Sequence, residues 1–152
     1  MSEENTSPTN IIKVSLDTSV QPHVLKVTDN GNNDIPRKAG EQRIRWTLVG
    51  DLANCKFVSM TECRPGFEWL SWPAPPPHVF GTATIGGNGT WVEITDIHED
   101  AASAGVWLYR LRVRCDGSEY EPVLGVESRS EPKDSPSYAK VMVGNNPIII
   151  NR

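Results

Sequence analysis

The sequence predicts an all-β protein folded as a sandwich of antiparallel sheets. Apolar residues recur with period 2 along most of the chain, dense turn clusters separate the short alternating runs, and no stretch sustains a period of 3.6. Strands of this kind bury one face and must find a second sheet to cover it.

The elements can be justified in order. "IKVSLD" sets Ile12, Val14 and Leu16 on one face, with Lys13 and Ser15 on the other. "RIRWTLVG" sets Ile44, Trp46 and Leu48 against Arg43, Arg45 and Thr47. "GVWLYRLRVRC" alternates most clearly, with Trp107, Tyr109, Leu111, Val113 and Cys115 opposite Val106, Leu108, Arg110, Arg112 and Arg114. "HVLKVTD", "CKFVSMTEC", "VFGTATI", "TWVEITDI" and "VGNNPIIIN" are further strand candidates. "DNGNND", "GGNG", "CDGS" and "PAPPP" supply the turns between them. The sole helical candidate is the short "HEDAASAG", His98 to Gly105.

One register follows directly. Asp116-Gly117 suits a two-residue type I′ turn, which pairs Cys115 with Ser118, Arg114 with Glu119, Val113 with Tyr120 and Arg112 with Glu121. Apolar residues then meet on one face and opposite charges on the other.

With 152 residues, the chain suffices for one domain, expected over residues 11–152 after a loose tail at 1–10. "GVESRSEPKDSPS" (125–137) reads as a surface loop. A net charge of -4 argues against general affinity for nucleic acid. "MSEENTSPTN" has neither the basic nor the apolar region of a signal peptide, and no apolar run is long enough to span a membrane. A cytoplasmic protein is expected. Cys55, Cys63 and Cys115 are odd in number, so any intramolecular pairing leaves one thiol over. Cys115 reads as a small inward-facing apolar residue beside Val113.

"WVEITDIHEDAASAGVWLYRLRV" resembles the E strand, E–F corner and F strand of an immunoglobulin-like domain, and Trp46 resembles the tryptophan of strand C. The resemblance implies roughly seven to nine strands. It also implies that the strand of Trp46 lies beside that of Arg110. Leu111 holds the usual F-strand cysteine position and no cysteine lies near "HVLKVTD", so the family's inter-sheet disulfide is not expected. The C-terminal third, "GVWLYRLRVRCDGSEYEP" and then "NNPIIINR", is similar to the small bacterial DP-EP family, with Asn146-Pro147 at the Asp-Pro position. That likeness implies a bacterial origin and no activity.

No constellation of residues names a reaction. There is no Gly-x-Ser-x-Gly elbow, and His23, His78 and His98 lack triad context. Cys-x(2–4)-Cys knuckles are missing, so a zinc site is not expected. "TIGGNGTW" leads into a strand and lacks the lysine of a phosphate loop; its plainer reading is a hairpin turn. "DNGNND" has calcium-like oxygen spacing without the distal glutamate of an EF-hand, and an Asx-rich turn explains it without an ion.

Two surfaces remain. Arg43 and Arg45, with Arg110, Arg112 and Arg114, form a basic face for an acidic partner, or a mixed-charge sheet neutralised by glutamates such as Glu119 and Glu121. "WLSWPAPPPHVFG" joins Trp69 and Trp72 to His78 and Phe80 through a stiff proline run. Its aromatics either cap the sandwich or form a contact surface. The expectation is a non-catalytic binding or assembly module without cofactor or metal, engaging a protein partner or a second copy of itself, and neither nucleic acid nor membrane. The alternative is a carbohydrate-like ligand held by Trp69, Trp72 and Trp91.

Overall fold

The structure is a computed structural model and describes residues 9–71, 73–122 and 147–152. The alternating runs become β1 (Thr9–Asp17), β2 (Val24–Thr28), β4 (Glu41–Leu48), β8 (Trp91–Ile97) and β9 (Gly105–Leu111). Shorter pieces are β3 (Asp34–Ile35), β5 (Lys56–Phe57), β6 (Phe67–Trp69), β7 (Thr84–Gly86), β10 (Val113–Cys115), β11 (Ser118–Tyr120) and β12 (Ile148–Asn151). Many are only two or three residues long, so the strand segments outnumber those the sequence suggests.

The protein is an all-β sandwich. One layer runs β2-β1-β4-β8-β7. The other contains β3-β12-β9-β6 and β11-β10-β5, joined because β9 and β10 are one path interrupted at Arg112. Arg112 donates its N–H to the Gly66 carbonyl and accepts from Val58 N–H. Both groups of one strand residue point to the same side, so β5 and β6 succeed one another along a single edge. Most pairings are antiparallel, but β1–β4 and β3–β12 are parallel.

The expected inner face holds, but Leu108 and Arg112, expected on the solvated face, are buried as well. Ile12, Val14, Ile44, Trp46, Leu48, Trp107, Tyr109, Leu111 and Val113 are all buried. Trp46 crosses the interface between layers: its Nε1 donates to the Tyr109 hydroxyl at 2.8 Å, and its ring lies 4.9 Å from Phe67. The pairing satisfies a donor that burial would otherwise leave without water. The β10–β11 register is Val113↔Tyr120, Arg114↔Glu119 and Cys115↔Ser118, with Asp116 and Gly117 both at positive φ as a type I′ turn requires. Gly87, Asn88 and Gly89 likewise take positive φ in the β7–β8 hairpin.

Several expectations need correction. β4 lies between β1 and β8, not beside β9, because its hydrogen-bond partners run from Glu41↔Ile97 to Thr47↔Trp91. Cys115 is bonded to Cys55; the strand register sets Arg114 opposite Lys56, which brings the next residues together. This bridge joins neighbouring strands, not the two layers. Cys63 is the leftover thiol and is exposed. The helical candidate shrinks to a single 3-10 turn, Ala101–Ser103, capped by the Asp100 carboxylate on Ala102 N–H. β1 already begins at Thr9, within the expected tail. The predicted loop at 125–137 lies outside the described residues. Among those described, no helix is long and apolar enough to cross a membrane.

Candidate binding groove

The sequence segment Trp69 to Gly81 leaves β6, passes its prolines, and returns against β8. Its C-terminal end is fixed by hydrogen bonds: Gly81 N–H donates to the Thr95 carbonyl, and Ile97 N–H donates to the Val79 carbonyl. Trp69 is half-buried, with its ring 4.7 Å from Phe80 and 5.1 Å from Phe67. Phe80 in turn meets Trp107 edge-on at 5.3 Å. An aromatic chain therefore runs from the central Trp46 out to the open side of the sandwich. Large rings in tilted and edge contacts of this kind fill volume and resist displacement.

At that open side the edge strand β7 faces β5 and β6 across a groove. One part, about 300 Å³, is lined by Phe67, Trp69, Pro75, Pro76 and Phe80. The next, about 510 Å³, is lined by Phe57, Met60, Ala83, Ile85 and Lys56. Met60 and Ala83 border both parts, so the two hollows adjoin. The sequence could not show this, because β5, β6 and β7 are too short to leave a periodic signal.

The predicted site residues separate. Trp69 and Phe80 line the groove, whereas His78 sits exposed in the turn beside it. Trp72 lies outside the described residues. Trp91 is on the outer face of β8, packed under the Arg45 guanidinium at 3.9 Å and seated over Gly86 and Gly87. Trp69 and Trp91 thus occupy opposite sides of the protein wall and do not form a common cluster.

The arginines form two patches on opposite outer faces, since Arg43 and Arg45 belong to one layer and Arg110, Arg112 and Arg114 to the other. Arg45 bonds Glu93 at 2.8 Å, and Arg43 lies 3.7 Å from Glu41. Arg112, only 3% exposed, reaches Glu68 at 2.7 Å, Glu121 at 3.0 Å and the Pro65 carbonyl at 3.0 Å. Glu121 also receives Arg64 at 2.7 Å and approaches Arg110 at 3.7 Å. Arg114 holds Glu62 in a bidentate pair and also bonds Glu119. That pair holds the Glu62 carboxyl below the usual range and raises the Arg114 guanidinium above its own. The mixed-charge reading of this face is what the geometry supports.

A buried polar cluster lies at the other end of β8. Asp96, fully buried, accepts from Asn151 Nδ2 of β12 at 3.0 Å, and the same nitrogen donates to the Ser103 carbonyl at 2.9 Å. His98 contacts Ser103 Oγ through Nδ1 and donates from Nε2 to the Arg152 carbonyl. That is not a catalytic triad, because the carboxylate bonds an amide and neither imidazole nitrogen is free. The DNGNND side chains also have structural partners: Asp29 accepts from Gly31 N–H, and Asn32 and Asn33 donate to the Ile11 and Ile148 carbonyls.

No protein-family model matches the chain, and no curated protein is significantly similar to it.

Proposed function

We propose that the protein is a non-catalytic binding module that takes an extended apolar segment of a protein partner, or of a second copy, into the β5–β6–β7 groove. The carrying observation is an aromatic and aliphatic floor that adjoins an edge strand. β7 pairs with β8 on one side and ends its sheet on the other. An added strand gains main-chain hydrogen bonds at such an edge, while alternate side chains enter the apolar floor. Trp69 and Phe80 supply rigid anchors at low entropic cost.

An immunoglobulin-like assignment is the finer reading of the fold. In that reading β8 and β9 correspond to strands E and F, β4 to strand B and not C, and β6 to strand C. The closing β12 alongside β9 is compatible with the DP-EP likeness and a bacterial source. A carbohydrate site on the tryptophans is the weaker alternative, given the separation of Trp69 from Trp91. The Cys55–Cys115 bridge favours an oxidising compartment over the cytoplasm, since disulfides are rare where thiols are kept reduced.

The test is a display selection with extended apolar peptides, joined to light scattering at rising protein concentration. Peptide capture or dimerisation abolished by Ile85→Glu with Met60→Glu, yet retained in Arg43→Glu, is expected. Binding that survives the groove changes would overturn the proposal.

A further inference from the structure

Asp96 and Asn151 present an uncommon arrangement. They are hydrogen-bonded to each other, yet Asp96 Oδ2 and Asn151 Oδ1 are both buried without a partner. The orphan atoms belong to the two halves of one bonded pair. Turning the carboxamide over does not help, because its nitrogen already faces two acceptors, Asp96 Oδ1 and the Ser103 carbonyl. Two buried oxygens cannot satisfy one another without a proton between them.

We propose that Asp96 and Asn151 form a proton-gated latch between the two layers. With a proton on Oδ2, the carboxyl donates to Asn151 Oδ1 while Asn151 Nδ2 donates to Asp96 Oδ1, closing a reciprocal ring. Loss of that proton to solvent removes one bond and leaves both oxygens buried without a donor. β8 belongs to one layer and β12 to the other, so the ring ties the sheets together through the core.

The surroundings favour the neutral acid. Burial raises the Asp96 carboxyl to about 6, against the lowering effects of the Asn151 bond and the charge of His98. His98, just past the end of β8, is the titratable group nearest in the chain. β4 contributes Gln42, which donates to the Pro36 carbonyl; β12 contributes Asn151, and the Arg152 guanidinium turns to Asp34. The 3-10 turn contributes Ser103, and the Asp100 carboxylate turns to Ala102 N–H.

A raised native value means that the folded chain holds the proton more tightly than the unfolded one. The added stability is therefore complete below 3.8, declines as pH rises, and is gone above about 6. Asp96→Asn provides a fixed mimic, since its amide can donate where the acid proton did.

Two measurements test the latch. The carboxyl 13C shift of Asp96 in the unmodified protein is expected to titrate with a midpoint near 6. A midpoint below about 5 overturns the proposal, as it would mean an ordinary ionised carboxylate. The folding equilibrium constant of the unmodified chain, relative to D96N, is expected to fall about a hundredfold as pH rises across this window. The comparison cancels the titrations of groups that do not interact with Asp96. Parallel pH profiles for the two would overturn the latch.

Discussion

Two residues carry consequences disproportionate to their size. Arg112 is the most enclosed of the arginines named above, and it organises Glu68, Glu121 and the Pro65 carbonyl. Replacing it by Met keeps bulk but takes the buried guanidinium from two half-buried carboxylates, leaving Glu121 only its contacts with Arg64 and Arg110. We expect Arg112→Met to lower stability by about 2–3 kcal/mol, somewhat below a fully buried pair because both glutamates retain solvent. The midpoint of urea unfolding measures this. Tyr109→Phe is a smaller lesion. It leaves the Trp46 Nε1 donor buried without its hydroxyl, at a cost of about 1–2 kcal/mol in the same assay. Tyr109 itself is held far above the usual phenol range by burial, so its charge plays no part at working pH.

At the scale of elements, the tight approach of β5 to β6 depends on a glycine. A Cβ on Gly66 would stand 2.5 Å from the Val58 carbonyl oxygen and 3.0 Å from its nitrogen. Both obstacles are main chain and cannot swing away. Gly66→Ala is expected to cost at least about 2 kcal/mol and to increase amide exchange at Val58 and Arg112, whose hydrogen bonds join this edge. This edge was also the least legible part of the sequence. Long runs such as Ile12–Leu16 and Trp107–Val113 showed their buried faces through period 2, and Asp116-Gly117 declared its own hairpin. Lys56–Phe57 and Phe67–Trp69 are too brief for a period, and their placement depends on contacts with β9 and β10. The groove they form was therefore invisible, although two of the aromatics that line it, Trp69 and Phe80, stand out in the sequence. Neighbour relationships were equally hidden: alternation says which face of β4 is buried, but not that β8 is its partner.

For the molecule as a whole, the Cys55–Cys115 bridge closes a loop of 60 residues that contains β5 to β9 and every wall of the groove. On loop-entropy grounds its removal costs about 4 kcal/mol. Cys55→Ser with Cys115→Ser is expected to show that loss in urea unfolding. Intact mass after alkylation without reductant should report one modified thiol, Cys63. Uptake of three labels would show that the bridge does not form.

The partnership of β3 with β12 has a bearing on how the chain reaches this form. Ile150 lies beside Asp34 and Asn151 beside Ile35, and Arg152 bonds Asp34 at 2.6 Å. The edge strand β3 has two residues and cannot persist alone; it must wait for a segment more than a hundred positions away. Such remote pairings place the search for native contacts, not local structure formation, in control of the timescale. Refolding is thus expected in the range of roughly milliseconds to seconds that characterises β-rich topologies with distant contacts.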